Sequence, residues 1–297
     1  MVRSLSSKGL GVLFAILGVL LFSSKAVMVK LAYRYGVDSV TLLLFRMVFA
    51  LPFYVLIAFW KKPRYTREVG AKEFGWIFFF GFLGYYLASL FDFIGLQYLK
   101  AGLERIILFI YPTLVVLLSW LIFRNKITRI QFMAIAVTYL GVLVTFWDEI
   151  GVEGDSVIWG GFLIFLSAFT YAAYLVGSGW LIPKFGVLHF TCYAMMASTI
   201  CVVINYVFVG NFNFFHFPKE VYLLAVAMAI FATLIPSFLV SAAIARLGAS
   251  TFSIFGSLGP ISTIILAYFF LEEQISGIQM MGILVVIFGV SLVSRKK

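Results

Sequence analysis

The sequence predicts an all-α integral membrane protein with ten transmembrane helices, arranged as two inverted repeats of five helices. Three observations predict this fold class: the composition, the number of long apolar segments and an internal repeat. Hydrophobic residues make up 63% of the 297-residue chain and charged residues only 11%. A soluble domain usually carries about 25% charged residues. Lipid is therefore the solvent that this chain is expected to meet.

Ten segments are apolar enough and long enough to cross a bilayer. A transmembrane helix needs about 20 apolar residues, within a range of about 17 to 25. The links between the segments are too short to fold as domains, so no soluble catalytic module is expected. The predicted spans are 9–31, 39–60, 74–96, 101–123, 130–147, 157–180, 187–209, 221–245, 249–271 and 278–294.

The second half of the chain repeats the first after a shift of 148 positions. The stretch 101–146 recurs as 249–294, so that Pro112 falls on Pro260 and Gly141 on Gly289. Internal repetition fixes the architecture, which predicts two domains, 1–148 and 149–297. Because each half has five spans, an odd number, the second half must cross the membrane upside down. Inverted repeats of this kind are typical of secondary transporters that bind substrate near mid-membrane.

The positions of the basic residues, which give the chain a net charge of +10, indicate its orientation in the membrane. Lys and Arg concentrate in alternate links and at both ends of the chain, and such residues favour the cytoplasmic side. We expect a multi-pass protein of the cytoplasmic (inner) membrane with both termini in the cytoplasm, and no nucleic-acid partner. The two cysteines and two histidines lack the spacing of a metal site, so no metal, cofactor or catalytic residue is predicted.

Charged residues inside the spans are the first candidates for function, because each costs about 2.5–3.5 kcal/mol to insert. Lys25, Arg46 and Asp92 lie within spans, and Glu104 lies near the start of span four. The repeat-related positions 173, 194 and 240 carry Ala, Ala and Val. The sequence therefore predicts a cavity whose ionic lining comes from the first half alone.

Each of these charges has a functional and a structural interpretation. For Lys25 a substrate contact is favoured, and for Arg46 a buried brace between helices. Asp92 could meet a substrate amine, carry a proton or act as a brace. Glu104 could bind substrate, or could be a first-turn acid that the helix dipole favours.

Polar residues at helical spacing extend the candidate site. Asp92 shares a helical face with Ser89 and Tyr85, and Tyr171 shares one with Tyr174. A buried tyrosine needs a hydrogen-bond partner, which either a wet cavity or a backbone carbonyl would supply. The predicted substrate-binding residues are Lys25, Arg46, Tyr85, Ser89, Asp92, Glu104, Tyr111, Tyr171 and Tyr174.

Prolines inside the spans predict bends. Pro112, Pro236 and Pro260 lie within spans four, eight and nine, and each leaves the carbonyl four residues earlier unpaired. For Pro260 that carbonyl belongs to Gly256. The predicted hinges are therefore the three prolines and Gly256, and the alternative is that these residues only allow close packing between helices. Glu272 and Glu273 follow span nine and are expected to be solvated.

The ten-span layout resembles that of the EamA-like permeases of the drug/metabolite transporter superfamily. One departure is Arg124-Asn125-Lys126, where such permeases commonly carry Gly-Glu. The stretches that carry the resemblance are Leu44-Phe45-Arg46, Gly95-Leu96-Gln97-Tyr98, Ala101-Gly102-Leu103, Tyr111-Pro112-Thr113, Gly259-Pro260 and Leu271-Glu272-Glu273. The resemblance implies a transporter for substrates that include amino acids, nucleotides, sugars, amines and drugs.

The predicted function is secondary transport of a small polar or amphipathic metabolite by alternating access. The substrate would be amino-acid-like, zwitterionic or anionic, with a coupling proton and membrane lipid as further partners. The protein would be a monomer or a homodimer. The alternatives are a flippase for lipid headgroups, a membrane enzyme acting on lipid-linked substrates and a receptor subunit.

Overall fold

The computed structural model has helices and no strands in the part of the chain that it describes. That part is residues 7–61, 69–123, 129, 132–133, 136–137, 139–144, 155–212, 214–256 and 258–294. The α-helices are α1 (Ser7–Tyr33), α2 (Ser39–Trp60), α3 (Ala71–Gly81), α4 (Ala88–Gly95), α5 (Ala101–Leu108), α6 (Tyr111–Phe123), α7 (Asp155–Val209), α8 (Lys219–Ala229), α9 (Ile235–Leu247), α10 (Ala249–Phe255), α11 (Leu258–Leu271) and α12 (Gly277–Ser294). Two π-helical segments, Phe82–Leu87 and Ile230–Leu234, join α3 to α4 and α8 to α9.

Seven helical stretches among the described residues are long and apolar enough to cross a membrane. One of them, the 55-residue α7, is two helices joined at a kink at Gly186. A straight helix of that length would extend about 80 Å, far beyond the roughly 30 Å of a hydrocarbon core. At Gly186 φ is 75°, a left-handed value that glycine adopts without steric cost. Predicted spans six and seven therefore both lie in α7.

The count of ten spans remains a prediction. The helix α12 carries a shorter apolar stretch, Gly277–Gly289. Eight of the 18 residues of predicted span five, 130–147, lie outside the described residues, as does the Arg124-Asn125-Lys126 link. The same holds for 1–6, 62–68 and 295–297, which carry many of the basic residues that predict the orientation of the termini.

Helix starts recur at the spacing of the sequence repeat. Ser7 begins α1 and Asp155 begins α7, 148 positions apart. Ala101 and Ala249, which begin α5 and α10, are separated by the same distance. The two π-helical segments also begin 148 positions apart, at Phe82 and Ile230. The internal repeat thus extends from residue identities to the places where helices start and change their hydrogen bonding.

The predicted bends occur where the prolines lie, as helix breaks or π segments. In span four α5 ends at Leu108 and α6 begins at Tyr111, so Pro112 occupies the first turn of a new helix. Pro236 likewise lies in the first turn of α9, directly after a π segment. After the break in span four, Pro112 costs no intrahelical bond. At Pro236 the helix continues through the π segment instead.

At Pro260 the carbonyl freed by the proline finds another partner. The Gly256 carbonyl is not left unpaired, because it accepts a hydrogen bond from the Gly259 backbone N–H at 2.8 Å. The chain turns between α10 and α11, which places Gly256 outside both helices.

Helix α1 packs against the second half of the chain at two glycines. A Cβ added to Gly11 would lie 3.0 Å from the Arg246 Cβ, and one added to Gly18 would lie 3.3 Å from the Leu239 Cβ. Small residues let membrane helices approach each other in this way. The contact places α9 beside α1, and α11 also packs against α1. The space between the two halves is therefore bordered by α1 on one side.

Candidate substrate cavity

A cavity of about 50 Å³ lies between the two halves of the chain. A single water needs about 10–15 Å³ of such space, so the cavity admits a few waters in this conformation. From the first half it is lined by Gly18, Val19, Phe22, Lys25, Gly84, Ala88, Ser89, Arg105, Leu108, Phe109 and Tyr111. From the second half it is lined by Ser167, Tyr171, Val240, Phe252, Gly256 and Gly259.

Lys25 joins the cavity to a buried acid. Its side chain lines the cavity, and its Nζ lies 2.6 Å from Oδ2 of Asp92. Asp92 is fully buried and does not line the cavity. The ammonium also lies 5.6 Å from the centre of the Phe22 ring, within the range of a cation–π contact. Lys25 therefore has the cavity on one side and its counter-ion on the other.

Arg105 is the second cation in the cavity wall. Its Nη2 donates to the Phe22 carbonyl at 3.3 Å, and its Nε lies 3.6 Å from Oε2 of Glu104. Glu104 is in the first turn of α5, as the helix dipole favours, but it is also fully buried. It does not line the cavity. Sequence analysis did not select Arg105 as a site residue, although its place beside Glu104 at the start of a span was a signal for it.

Arg46 lies behind the cavity wall. Its Nη2 donates to Ser89 Oγ at 2.8 Å, and its guanidinium carbon lies 4.9 Å from the centre of the Phe93 ring. Ser89 itself lines the cavity. These contacts connect α2 to α4 and hold the Ser89 hydroxyl, which favours the brace interpretation of Arg46.

Tyrosines form one side of the cavity, in two layers. Tyr111 and Tyr171 line it, with ring centroids 5.3 Å apart. Tyr85 and Tyr174 lie behind them, and the Tyr174 hydroxyl donates to that of Tyr85 at 3.5 Å. Of the nine predicted contact residues, the cavity is lined by Lys25, Ser89, Tyr111 and Tyr171, whereas Arg46, Tyr85, Asp92, Glu104 and Tyr174 surround it.

The second half contributes no charged lining residue among those described. Its Gly256 is packed so closely that an added Cβ would lie 1.9 Å from the Tyr111 hydroxyl oxygen. The absence of a side chain at this position thus leaves room for the Tyr111 ring. Phe252 adds an aromatic face that sequence analysis missed, together with Phe22 and Phe109 from the first half.

A second, open cavity lies at the ends of α1, α4 and α11, and we call it the vestibule. It measures about 520 Å³, and its lining includes Lys30, Tyr33, Arg34, Asp38, Gln97 and Glu273. The Tyr33 hydroxyl donates to the Phe93 carbonyl at 2.6 Å, next to Asp92 in the chain. This side chain therefore lies between the vestibule and the buried Lys25–Asp92 pair.

Glu273 corrects an expectation from the sequence. Its carboxylate is not simply solvated, because it accepts hydrogen bonds from the backbone N–H groups of Ala101 at 2.8 Å and Gly102 at 3.0 Å. It thereby caps α5 from the other half of the chain. Beside it, Arg34 Nη2 donates to the Leu271 carbonyl at 3.2 Å. The Glu273 cap and the Arg34 hydrogen bond thus join the two halves of the chain next to the vestibule.

These features define a polytopic helical membrane protein with a charged internal cavity. The sequence profile of the EamA-like transporter family matches the chain twice, over residues 9–147 and 158–295, so the chain belongs to this family. The resemblance inferred from the sequence is thereby confirmed. The two separate matches divide the chain near its middle.

Named relatives agree with this assignment, and a solved structure shares the fold. The uncharacterized transporter YcbK of Bacillus subtilis (strain 168) is 30% identical over 283 residues, covering 92% of this chain and 88% of that one. The uncharacterized transporter sll1319 of Synechocystis is 25% identical over 271 residues, covering 87% of this chain and 80% of that one. A crystal structure shares the fold at 14% identity, with a TM-score of 0.69 over 95% of both chains. The chain is a membrane transporter by family.

Proposed function

We propose that this protein is a secondary transporter that moves a small polar or amphipathic metabolite across the cytoplasmic membrane by alternating access. The observation that carries the proposal is the cavity between the halves, with cations on one side and aromatic rings and glycines on the other. A cavity of this kind is typical of a substrate site between transporter repeats. No catalytic role is assigned to any residue.

The proposed mechanism treats 1–148 and 149–297 as two inverted units that move relative to each other. The junction near residue 148 lies outside the described residues. Support for two units comes from the recurrence of helix starts and π segments and from the two family matches. The proposed hinges are Pro112, Pro236, Gly256 and Pro260, which lie at or next to a helix break or a π segment. The backbone at such interruptions can change its φ and ψ angles at small cost.

The described conformation is close to an occluded state in this scheme. The cavity is too small for a metabolite of amino-acid size, and the Glu273 and Arg34 links join the halves beside the vestibule. Since the charge pattern predicts cytoplasmic termini, the vestibule faces outward in the proposed orientation. Opening toward that side would break the two links, and the cavity would enlarge as the halves separate.

The lining favours a substrate with a carboxylate or another oxyanion. Lys25 and Arg105 offer positive charge, and Ser89 and the tyrosine hydroxyls offer hydrogen-bond donors. The aromatic rings would contact an apolar part of the substrate. A zwitterion would need an acid for its amine, and Asp92 could serve only if the Lys25 ammonium moved aside.

Transport by the purified protein in proteoliposomes tests the proposal. Pools of candidate metabolites are first screened for a rise in the melting temperature of the detergent-purified protein, because a ligand that binds only the folded state stabilises it. Uptake of the stabilising solute is then compared between the wild type and the double variant Lys25→Met/Asp92→Leu. Asp155→Asn, a change at an exposed acid in the first turn of α7, is the control. Equal uptake by the double variant and the wild type would refute the proposed site.

The flippase alternative is favoured by a groove on the side of the protein. The groove measures about 190 Å³ and is lined mainly by apolar side chains, including Ile107, Ile110, Val142, Leu143 and Phe162. An acyl chain would fit such a surface while the headgroup entered the cavity between the halves. Bleaching of a fluorescent headgroup-labelled lipid by dithionite separates the two functions, since only a flippase exposes lipid from the inner leaflet.

A further inference from the structure

Among the buried charged side chains, only basic ones line the cavity. Five charged side chains of the described helices are nine-tenths or more buried: Lys25, Arg46, Asp92, Glu104 and Arg105. Three are basic and two are acidic. The two that line the cavity, Lys25 and Arg105, are both cations, and both acids lie behind the wall. A ligand in this cavity therefore meets positive charge and aromatic surface, which fits an organic anion better than a zwitterion.

Asp92 depends on Lys25 for its counter-charge. Among the described residues, Lys25 is the one cation within 4.0 Å of the Asp92 carboxylate. The other titratable groups near this acid do not supply a close positive charge. Tyr33 is bonded to the Phe93 carbonyl, Arg46 to Ser89, and Arg105 to the Phe22 carbonyl. Glu104 is a second buried carboxyl that faces Asp92, and it brings no positive charge. An ionised Asp92 would thus be left without a close cation whenever Lys25 turned toward a ligand.

We propose that Lys25 exchanges partners during transport: a substrate carboxylate takes its ammonium, and Asp92 takes a proton. The inference rests on the proposed transporter function and adds to it the substrate class and the coupling ion. The substrate is an organic anion with an apolar, aromatic-compatible body. One proton from the cavity water joins the Asp92 carboxylate as the anion binds, and returns to water when the anion leaves.

The physical reason for the exchange is the cost of an unpaired buried charge. Removing one partner from a buried ion pair costs about 3–5 kcal/mol, because the other charge stays desolvated. Protonation of Asp92 avoids that cost, and the ammonium keeps an anionic partner throughout. The anion and the proton then cross together, so the charge moved in each cycle is zero.

A competing arrangement is that the anion binds to Lys25 and Arg105 while Lys25 retains Asp92, since an ammonium has three donors. That arrangement takes up no proton and moves one negative charge in each cycle. The close 2.6 Å contact and the 4% exposure of Lys25 place its ammonium in the wall. Proton uptake separates the two arrangements, because exchange takes up one proton per bound anion and sharing takes up none.

Proton uptake on binding is the first test, and it does not require transport. The detergent-purified protein in a weakly buffered solution with a pH-indicator dye is mixed with phenylpyruvate, or with phenylalanine as a zwitterion of the same body. We expect phenylpyruvate to bind more tightly and to withdraw one proton per bound anion from solution. Its affinity should fall by up to about tenfold for each unit of rising pH, as linkage requires of a ligand that binds with a proton.

The variant Asp92→Asn separates Asp92 from the other acids. It should bind phenylpyruvate without proton uptake and without the pH dependence, whereas the control Asp155→Asn should behave as the wild type does. Proton uptake that persists in Asp92→Asn would overturn the assignment of the proton to Asp92. Should that variant not fold, the wild-type measurement still decides whether binding and protonation are coupled.

Proteoliposomes that contain a pH-sensitive dye provide the second readout. Uptake of phenylpyruvate by the wild type should acidify the interior and should be unaffected by a potassium–valinomycin potential. Uptake by Asp92→Asn should depend on that potential. Binding of phenylpyruvate by the wild type without protons, binding of phenylalanine alone, or binding of neither would each overturn the inference. Transport of some other solute under those results would leave the proposed transporter function intact.

Discussion

At the scale of single residues, the closest ion pair among the described residues is that of Lys25 and Asp92. Both side chains are buried, and their charged atoms are 2.6 Å apart. A buried pair contributes little compared with a well-packed apolar pair, but breaking it from one side costs about 3–5 kcal/mol. The two single substitutions and the double substitution should therefore not be additive.

We predict that Lys25→Met and Asp92→Leu each lower the melting temperature of the detergent-purified protein, while the double variant recovers most of the loss. Each single change leaves the other member of the pair without its counter-charge, and the double change removes both charges. Thermal unfolding of the four proteins forms a double-mutant cycle that isolates the interaction. If the losses simply add, the two side chains do not form a buried pair.

Sequence analysis identified part of the cavity at this scale, and the reasons for its misses are physical. Lys25 and Ser89, which were predicted as substrate contacts, line the cavity. Polar groups within a span are costly and therefore informative. Phe22 and Phe252 were missed because the chain contains 34 phenylalanines, so residue type alone does not distinguish a cavity wall from a lipid-facing surface. Asp92 was placed among the contacts, but helical spacing does not show which neighbouring side chain covers it.

At the scale of the helical elements, the prolines predicted breaks but gave no sign of the π segments. A break at Pro112 could be predicted because proline lacks the backbone N–H and its ring clashes with the preceding turn of a helix. Both effects follow from the residue type alone. A π segment such as Phe82–Leu87 has no comparable residue signature. The packing of its Gly84 suggests why it is tolerated, because the backbone there lies directly against Tyr174 of α7.

We predict that Gly84→Ala destabilises the protein strongly. The added Cβ would lie 2.2 Å from the Cγ of Tyr174, so the π segment and α7 would have to move apart. Forcing extra atoms into a packed interior typically costs about 1–3 kcal/mol. The measurement is the melting temperature and the monodisperse yield of the detergent-purified variant.

Gly75→Ala is the matched control, because Gly75 is an exposed residue of α3 and an added Cβ would have no atom within 4 Å. Alanine favours a helix over glycine by about 1 kcal/mol, so this variant should be as stable as the wild type or slightly more so. Equal behaviour of the two variants would show that the π segment does not depend on close packing at Gly84.

At the scale of the whole molecule, the repeat could be deduced from sequence because identical residues recur after a shift of 148 positions. The structure adds that Ala101 and Ala249 begin helices at the same repeat position. The links between the halves could not be deduced. Glu273 follows a helix end, where an acid is usually solvated, and its contact with α5 depends on how two distant segments pack.

We predict that Glu273→Gln shifts the protein toward a conformation that is open at the vestibule. The amide has one acceptor oxygen and no charge, so it cannot reproduce the paired bonds to Ala101 and Gly102. Loss of a helix cap costs about 0.5–2 kcal/mol. A penalty of about 1–2 kcal/mol on the closed state raises the open population about 5- to 30-fold when that population is small.

Thiol labelling can detect this shift without a known substrate. In a Cys192→Ala/Cys201→Ala background, Ser89→Cys places a thiol in the cavity wall, and its rate of reaction with a bulky polar reagent reports opening. Glu273→Gln should accelerate the reaction about 5- to 30-fold, in proportion to the open population. Glu272→Gln is the control, because it removes a neighbouring carboxylate that does not cap α5. Equal rates for the two variants, or no change for Glu273→Gln, would mean that the cap does not hold the halves together.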